Sequence, residues 1–372
     1  MRRAFAGLIA LFAFAAPISA QCPNFTRTNY TIPGKPRAVI TADFDGDGIT
    51  DLLAGVDESS GNVIFFPGNR DGTFGSGVST VTTIPFVWAM ASGDFNHDGK
   101  LDVAVTNEAT VLAILLGNGD GTFAVNRFTV SEADDLYGLT VADFNGDSKP
   151  DLAMLEANED NISIRFGNGD GSFGASKLFA VGGSVPRDIV AADFNGDGKI
   201  DVATSNLTGR SVSVLLNNGD GTFGTAVTYP INGPANSITA GDFNGDGKTD
   251  LATGVSTTVS ILINKGNGTF APEVQYPSGI TPTAIAIGDF DLDGRIDVVT
   301  ADQSSNSVSI LLGKGDGTFK SPMSNPVGTT PWGIATASFN GRPGVAVPNW
   351  GSNNVSVLVD TCAVARKRAV RH

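Results

Sequence analysis

Six short acidic segments share one pattern, with acceptor side chains at positions one, three, five and nine and glycine usually at position six. They comprise Asp43, Asp45, Asp47 and Asp51; Asp94, Asn96, Asp98 and Asp102; Asp143, Asn145, Asp147 and Asp151; Asp193, Asn195, Asp197 and Asp201; Asp242, Asn244, Asp246 and Asp250; and Asp289, Asp291, Asp293 and Asp297. Such spacing wraps oxygens around one hard cation, and the main-chain carbonyl at position seven adds a donor from Ile49, Lys100, Lys149, Lys199, Lys248 or Arg295. Ligands that are all oxygen favour Ca²⁺ over zinc or copper. An EF-hand begins similarly but needs a bidentate Glu at position twelve, where the fourth segment has Thr204. Asp, Asn and Gly also make tight turns without any ion. A bare turn, however, has no need of the ninth-position Asp, and carboxylates gathered without a cation repel one another. Six calcium sites are therefore expected, with the third weakened by Ser148 in place of glycine. A seventh segment, with Ser338, Asn340, Arg342 and Ala346 at the ligand positions, lacks every carboxylate and is expected to hold no metal.

These segments recur at intervals of 51, 49, 50, 49, 47 and 49 residues, and a second signature of the type Asn-Gly-Asp-Gly-Thr-Phe keeps pace with them. Each unit reads as four short strands separated by turn chemistry, with alternation such as Ser211-Val212-Ser213-Val214. Four strands in about 49 residues are the mark of a propeller blade, since β-helix repeats are much shorter and solenoid repeats of this length are helical. The fold class is all-β: a seven-bladed β-propeller of four-stranded antiparallel blades. The Gly-Asp-Gly-Thr-Phe segments lack ligand spacing and read as hairpin turns whose Phe re-enters the packing between blades.

The last unit stops after its third strand, and CPNFTRTNYTI near the start matches the missing fourth, so one blade is closed by both termini. On that alignment Cys22 and Cys362, the only two cysteines, fall at neighbouring positions of a severed hairpin turn. A disulfide between them is expected in an exported chain. Export is indicated by residues 1–20, which combine two arginines, an apolar run too short to span a bilayer and a small-residue end. The expected organisation is a signal peptide over 1–20, a propeller over 22–362 and a basic tail over 363–372. The sequons at Asn24 and Asn206 matter only in a host that glycosylates.

Acids outnumber bases 38 to 24, which argues against nucleic acid as a partner. The formal charge of −14 becomes −16 without Arg2 and Arg3, and six divalent ions would bring it to −4, so the acidity is mostly ligand. No segment after the leader is suited to membrane insertion, and the mature chain is expected to be soluble, monomeric and secreted, extracellular or periplasmic.

On the acidic loops and the glycine turns, the chain resembles the FG-GAP and VCBS repeat family, the calcium-binding propeller blades also found in integrin α-subunit heads. The resemblance covers essentially all of the mature chain. It implies calcium between the first and second strands of a blade, and an extracellular adhesion, carbohydrate-binding or protein-binding role. It also admits polysaccharide lyases.

Six residues before each acidic loop, where the innermost strand begins, the seven units carry Arg37, Trp88, Tyr137, Arg187, Asn236, Thr283 and Trp332. Symmetry places this ring around the axis, on the face opposite the calcium loops. It is more varied and more aromatic than the positions that follow, which fits a ligand site for a carbohydrate or an extracellular protein. The same two Trp could instead plug the channel. Asn107, Glu156, Asn206, Asp302 and Trp350 are expected to rise beside the ring. A calcium-dependent lyase using Arg37, Tyr137 and Arg187 is the enzymatic alternative, and a purely structural surface protein is a third reading. His97 and His372 have no catalytic setting, and no nucleophile motif is present, so a binding module without catalysis is expected.

Overall fold

The computed structural model describes residues 23–59, 61–82, 84–107, 111–129 and 136–362. The expected signal peptide, Cys22 and the basic tail lie outside them. The described residues form twenty-eight strands in seven antiparallel sheets of four. In the fourth blade, for example, Pro186–Ala192, Asp201–Asn206, Ser211–Leu215 and Val227–Pro230 follow one another outward from the axis. In six blades the second strand is buried along its whole length, as Asp201–Asn206 is, because both sheet faces meet a neighbouring blade. Outermost strands are short and largely exposed, which limits edge pairing with other chains.

The ring is closed as the two ends of the chain imply. Phe25–Thr31 pairs with Asn354–Asp360 in an unbroken register from Phe25 opposite Asp360 to Thr31 opposite Asn354. Asp360 then gathers both terminal segments, since its Oδ1 accepts the amides of Asn24 (2.9 Å) and Cys362 (3.0 Å). The Thr361 amide donates to the Asn24 carbonyl at 2.8 Å. Cys362 is buried, and no free cysteine occurs among the described residues.

Aromatic edges join each blade to the next. The Phe at position two of a loop meets the Phe of the following blade's glycine turn edge to face: Phe44 with Phe123, Phe95 with Phe173, Phe144 with Phe223, Phe194 with Phe270, and Phe243 with Phe319. Phe339 and Phe74 continue the series across the closing interface, and Phe25 from the N-terminal strand stands in for the missing turn Phe against Phe290. Centroid separations run from 5.4 to 6.2 Å across the seven pairs. The loop Phe are at most 2% exposed. Each such pair adds about 0.5–1.5 kcal/mol beyond the area it buries.

One expectation needs correction here. Asn107, Glu156, Asn206 and Asp302 do not rise beside the ring but are buried at 0–1% exposure at the ends of second strands. Asn206 donates to Ser211 and Ser213 Oγ at 3.0 and 2.8 Å, while Asp302 accepts from Thr300 and Ser309 at 2.8 and 2.6 Å. They clasp the hairpin to the third strand from inside the blade, and a buried Asn206 offers no acceptor for a glycan. Trp350 is half-buried and donates its indole N–H to Asp57 Oδ2 at 2.9 Å.

Replacing Phe144, which is fully buried, with Ala is expected to cost about 3–5 kcal/mol through lost transfer energy and the cavity left behind. Chemical denaturation of the variant checks this, and a loss under 1 kcal/mol would show that the aromatic ring is dispensable.

Candidate functional site

Every acidic loop folds around its own carboxylates. The position-one Asp takes the amides of positions four to six: Asp193 Oδ1 accepts from Gly196 (2.7 Å) and its Oδ2 from Gly198 (2.8 Å). Positions four and six lie in the left-handed region, which suits glycine, yet His97 (φ 57°), Ser148 (φ 65°) and Leu292 (φ 57°) adopt it too. Ser148 keeps the bond that glycine makes, donating its amide to Asp143 Oδ2 at 2.7 Å. Its left-handed backbone costs about 1–2 kcal/mol. At position five the carboxylate accepts the amide of position seven and faces the basic side chain there, as in Asp246 with Lys248 at 3.1 Å and Asp197 with Lys199 at 3.4 Å.

The ninth-position Asp proves as structural as it is acidic. Asp51, Asp102, Asp151, Asp201, Asp250 and Asp297 are fully buried. One oxygen of each accepts the amide of the loop Phe and the other the amide that opens the glycine turn, as Asp201 does from Phe194 (2.9 Å) and Asn217 (2.7 Å). Turn chemistry thus does use this residue, contrary to the expectation that a turn has no need of it. Burial, and then the like charge of neighbouring loop carboxylates, pushes Asp51, Asp151 and Asp250 up to about 6 and Asp297 to about 7 against the pull of those amides. Asp102 and Asp201 move in the same direction for the same reasons.

The donor set fits a divalent cation. Carboxylate oxygens of Asp43, Asp45 and Asp51 lie within 4.8 Å of one another, as do those of Asp289, Asp291 and Asp297. In the other four loops Asn replaces Asp at position three, which keeps an oxygen donor and removes a charge. The seventh segment has a different form. Phe339 pairs with Arg342 across Asn340 and Gly341, both left-handed (φ 55° and 70°), giving a two-residue hairpin. Arg342 reaches across the closing interface to donate to the Asp71 carbonyl at 2.6 Å.

The glycine turns are hairpins with local satisfaction. Asp71, Asp120, Asp170, Asp220 and Asp316 each accept both the amide and the hydroxyl of the Thr or Ser two residues on. Those bonds hold their pKa values below the usual range.

At the opposite end of the innermost strands, all seven ring residues line one cavity of about 300 Å³. In six blades the register of the innermost strand shifts at the ring residue itself, between Pro36 and Ala38, Val87 and Ala89, Leu136 and Leu139, Pro186 and Asp188, Ala235 and Ser237, and Pro282 and Ala284. A bulge re-aims the residue it contains, here towards the axis. Trp332 holds the same place in the seventh blade, its amide bonded to the Pro348 carbonyl at 3.1 Å.

Half of this cup is cationic and aromatic. The Arg37 guanidinium lies 3.0 Å from the Trp88 ring centre and 4.2 Å from that of Trp332, while Arg187 lies 4.4 Å from Tyr137. Trp88 also packs on Tyr137 and Trp332, with centroids 4.6 and 6.1 Å apart. Stacking surface that a ligand would use is therefore partly taken by the protein's own cations, an arrangement between the open platform and the plug. Arg37 further pairs with Asp57 at 3.4 Å. Asn236, Thr283 and Gln303 make the other half of the wall neutral and polar.

Asp188 was not singled out from sequence. Six blades have Ala38, Ala89, Gly138, Ser237, Ala284 and Gly333 at the corresponding position, and this contrast was the available signal. Its two oxygens accept the amides of Ile189 (2.9 Å) and Ile238 (3.0 Å), and burial pushes its carboxyl up to about 6.

The cup and the acidic loops sit at opposite ends of strands such as Pro36–Ala42, about 20 Å apart. Arg37, Tyr137 and Arg187 therefore stand far from the acidic loops.

The FG-GAP-like repeat profile matches six times, over residues 43–105, 94–154, 143–204, 193–253, 242–300 and 289–342. No curated protein matches the chain in sequence. Similar solved structures include virginiamycin B lyase from Staphylococcus aureus, with 15% identity and a TM-score of 0.63 over 90% of this chain and 99% of that one. A lectin from Agrocybe aegerita, described as recognising non-reducing terminal N-acetylglucosamine, has 18% identity and a TM-score of 0.55 over 79% and 80%. At these identities the likeness is one of fold.

Raised carboxyls give the metal-free protein a definite pH dependence. A group whose folded pKa exceeds its unfolded value near 4 stabilises fully below that value and loses its contribution as pH rises through the folded pKa. With Asp51, Asp151 and Asp250 at about 6 and Asp297 at about 7, the melting temperature in excess chelator is expected to fall between pH 5 and 7.5. A rise over that window in scanning calorimetry would contradict it.

Proposed function

The chain belongs to the FG-GAP-like repeat family, and from that membership we propose that it is a secreted calcium-binding propeller acting as an extracellular or periplasmic binding module. Its ligand, a carbohydrate or an extracellular protein, enters the axial cup. One observation carries this reading: seven side chains of five kinds occupy one blade position, and in six blades the strand bulges at that position to aim them into a single cavity. A ring selected only for stability has no reason to spend bulges on mismatched polar groups. The lectin among its structural relatives supports the reading by analogy of fold alone.

Calcium in this proposal is structural. Asp43, Asp45, Asp47 and Asp51 with the carbonyl of Ile49 hold it in the first loop, and the matching residues do so in the other five. The ion supplies the positive charge that these carboxylates lack and fixes the loop that carries the interblade Phe. Cys22 and Cys362 close the ring covalently, since Asn24 and Thr361, two and one residues from them, are already hydrogen-bonded. The protein acts as a monomer without catalysis, and its partners do not include nucleic acid or a membrane interior.

Removing calcium tests the metal. At a hundredfold excess over Kd each bound ion stabilises by about 2.7 kcal/mol, so chelation is expected to lower the melting temperature by roughly ten degrees or more. An unchanged melt after confirmed metal removal sinks structural calcium, and thiols that react in the unreduced native protein sink the disulfide.

Binding at the cup is read by tryptophan fluorescence. Titration with a panel of glycans and secreted proteins is expected to change the emission of the wild type and not of Trp88→Ala or Trp332→Ala. A panel that binds only at sites indifferent to both substitutions would move the function elsewhere.

A further inference from the structure

The two arginines of the cup are in different electrostatic states. Arg37 has a carboxylate, Asp57, at 3.4 Å and two indole faces at 3.0 and 4.2 Å. Arg187 has no carboxylate among its described contacts. Asp188 beside it spends one oxygen on its own strand and the other on the next blade, through Ile189 and Ile238. The Nη1 of Arg187 is buried without an acceptor. A desolvated guanidinium N–H left unmatched is costly, and native proteins keep such groups chiefly where a ligand or a function satisfies them.

The rest of the wall narrows what that ligand is. A neutral sugar would rely on stacking, but Arg37 already covers a face of Trp88 and approaches Trp332. Across the cup stand the amides of Asn236 and Gln303 and the hydroxyl of Thr283, groups suited to hydroxyls. An acidic peptide side chain would meet the guanidinium and leave that neutral wall unused. A sugar ring bearing a carboxylate meets both halves at once. At about 300 Å³ the cavity is at the small end of ligand pockets, the size for one residue of a chain.

We propose that the axial cup takes a uronate residue of an acidic glycan, its carboxylate held by the Arg187 fork and its hydroxyls by Asn236, Thr283 and Gln303. This assignment rests on the reading of the cup as the binding site. An arginine fork matches a carboxylate with two parallel hydrogen bonds, which a methyl ester at the same carbon cannot accept equally.

Calorimetric titration of the full calcium-loaded protein with trigalacturonate and with its methyl ester tests it, alongside Arg187→Gln and the unaltered protein. The acid is expected to bind about tenfold or more tightly than the ester, and Arg187→Gln to abolish that difference. Equal affinities of acid and ester for the unaltered protein, or an Arg187→Gln protein that keeps the preference, overturn the uronate assignment and leave the cup a binding site for other ligands. If neither sugar binds and no member of the wider glycan and protein panel perturbs Trp88 or Trp332, the underlying reading falls as well. Should Arg187→Gln fail to fold, the comparison of acid with ester on the unaltered protein decides alone.

Discussion

A buried carboxylate at the ninth loop position holds six of the seven blades in shape and so holds the ring. Its two oxygens reach in different directions, one to the amide of the loop Phe and the other to the amide that opens the glycine turn. That single side chain locks the inner loop to the third strand of the same blade. It also fixes the loop Phe, whose ring must project sideways to meet the next blade's turn Phe. The turn answers in kind: Gly171, Gly268 and Gly317 donate amides to the carbonyls of Phe95, Phe194 and Phe243. Loop and turn, which look like separate motifs in sequence, are two halves of one interblade joint. Burying an anion this way is expensive, as the raised pKa values of these Asp record, and the amides offset only part of the cost. Protonation relieves the rest at low pH, and the cation proposed for each loop would relieve it at neutral pH.

The seventh blade shows what happens when the carboxylate is absent. By strand register Gly344, not Ala346, stands in its place, so nothing ties a long loop down, and the chain shortens to a two-residue hairpin over Asn340 and Gly341. The joint nevertheless survives. Phe339 still meets Phe74, and Arg342 carries a positive charge of its own to the Asp71 carbonyl at the same interface. On the other side Phe25, delivered by the N-terminal strand, replaces the turn Phe that the cut hairpin lost. The closing blade thus keeps the aromatic contacts and gives up the acidic loop.

Periodicity made most of this legible from sequence. Six spacings near 49 residues define seven blades, and a fixed offset from each loop was enough to find the ring of Arg37, Trp88, Tyr137, Arg187, Asn236, Thr283 and Trp332. Contacts that break the repeat were not legible. Asp188 hides because it differs from its counterparts at only one blade, and the bulges leave no residue signature since Pro36, Val87 and Ala235 flank them equally well. Asn206 and Asp302 were misplaced for a different reason. A polar residue at the end of a strand suggests a loop surface, but here Ser residues across the hairpin supply its partners and draw it inside. Only the pairing register reveals that, and register is a property of two strands together.

Strand length separates stability from recognition in this fold. Six residues of extended chain put the acidic loops about 20 Å from the cup, too far for a loop cation to touch anything bound there. Charge at one end therefore bears on the closure of the ring, and charge at the other shapes the axial cavity. Arginine at the ring position of the first and fourth blades perturbs no joint, because the joints lie at the far end of the same strands. The same separation explains how one ring position tolerates Arg, Trp, Tyr, Asn and Thr while the loops below it repeat almost unchanged. Variation is confined to the place where a bulge has already released the side chain from the ladder, and there it alters the cavity without altering the fold.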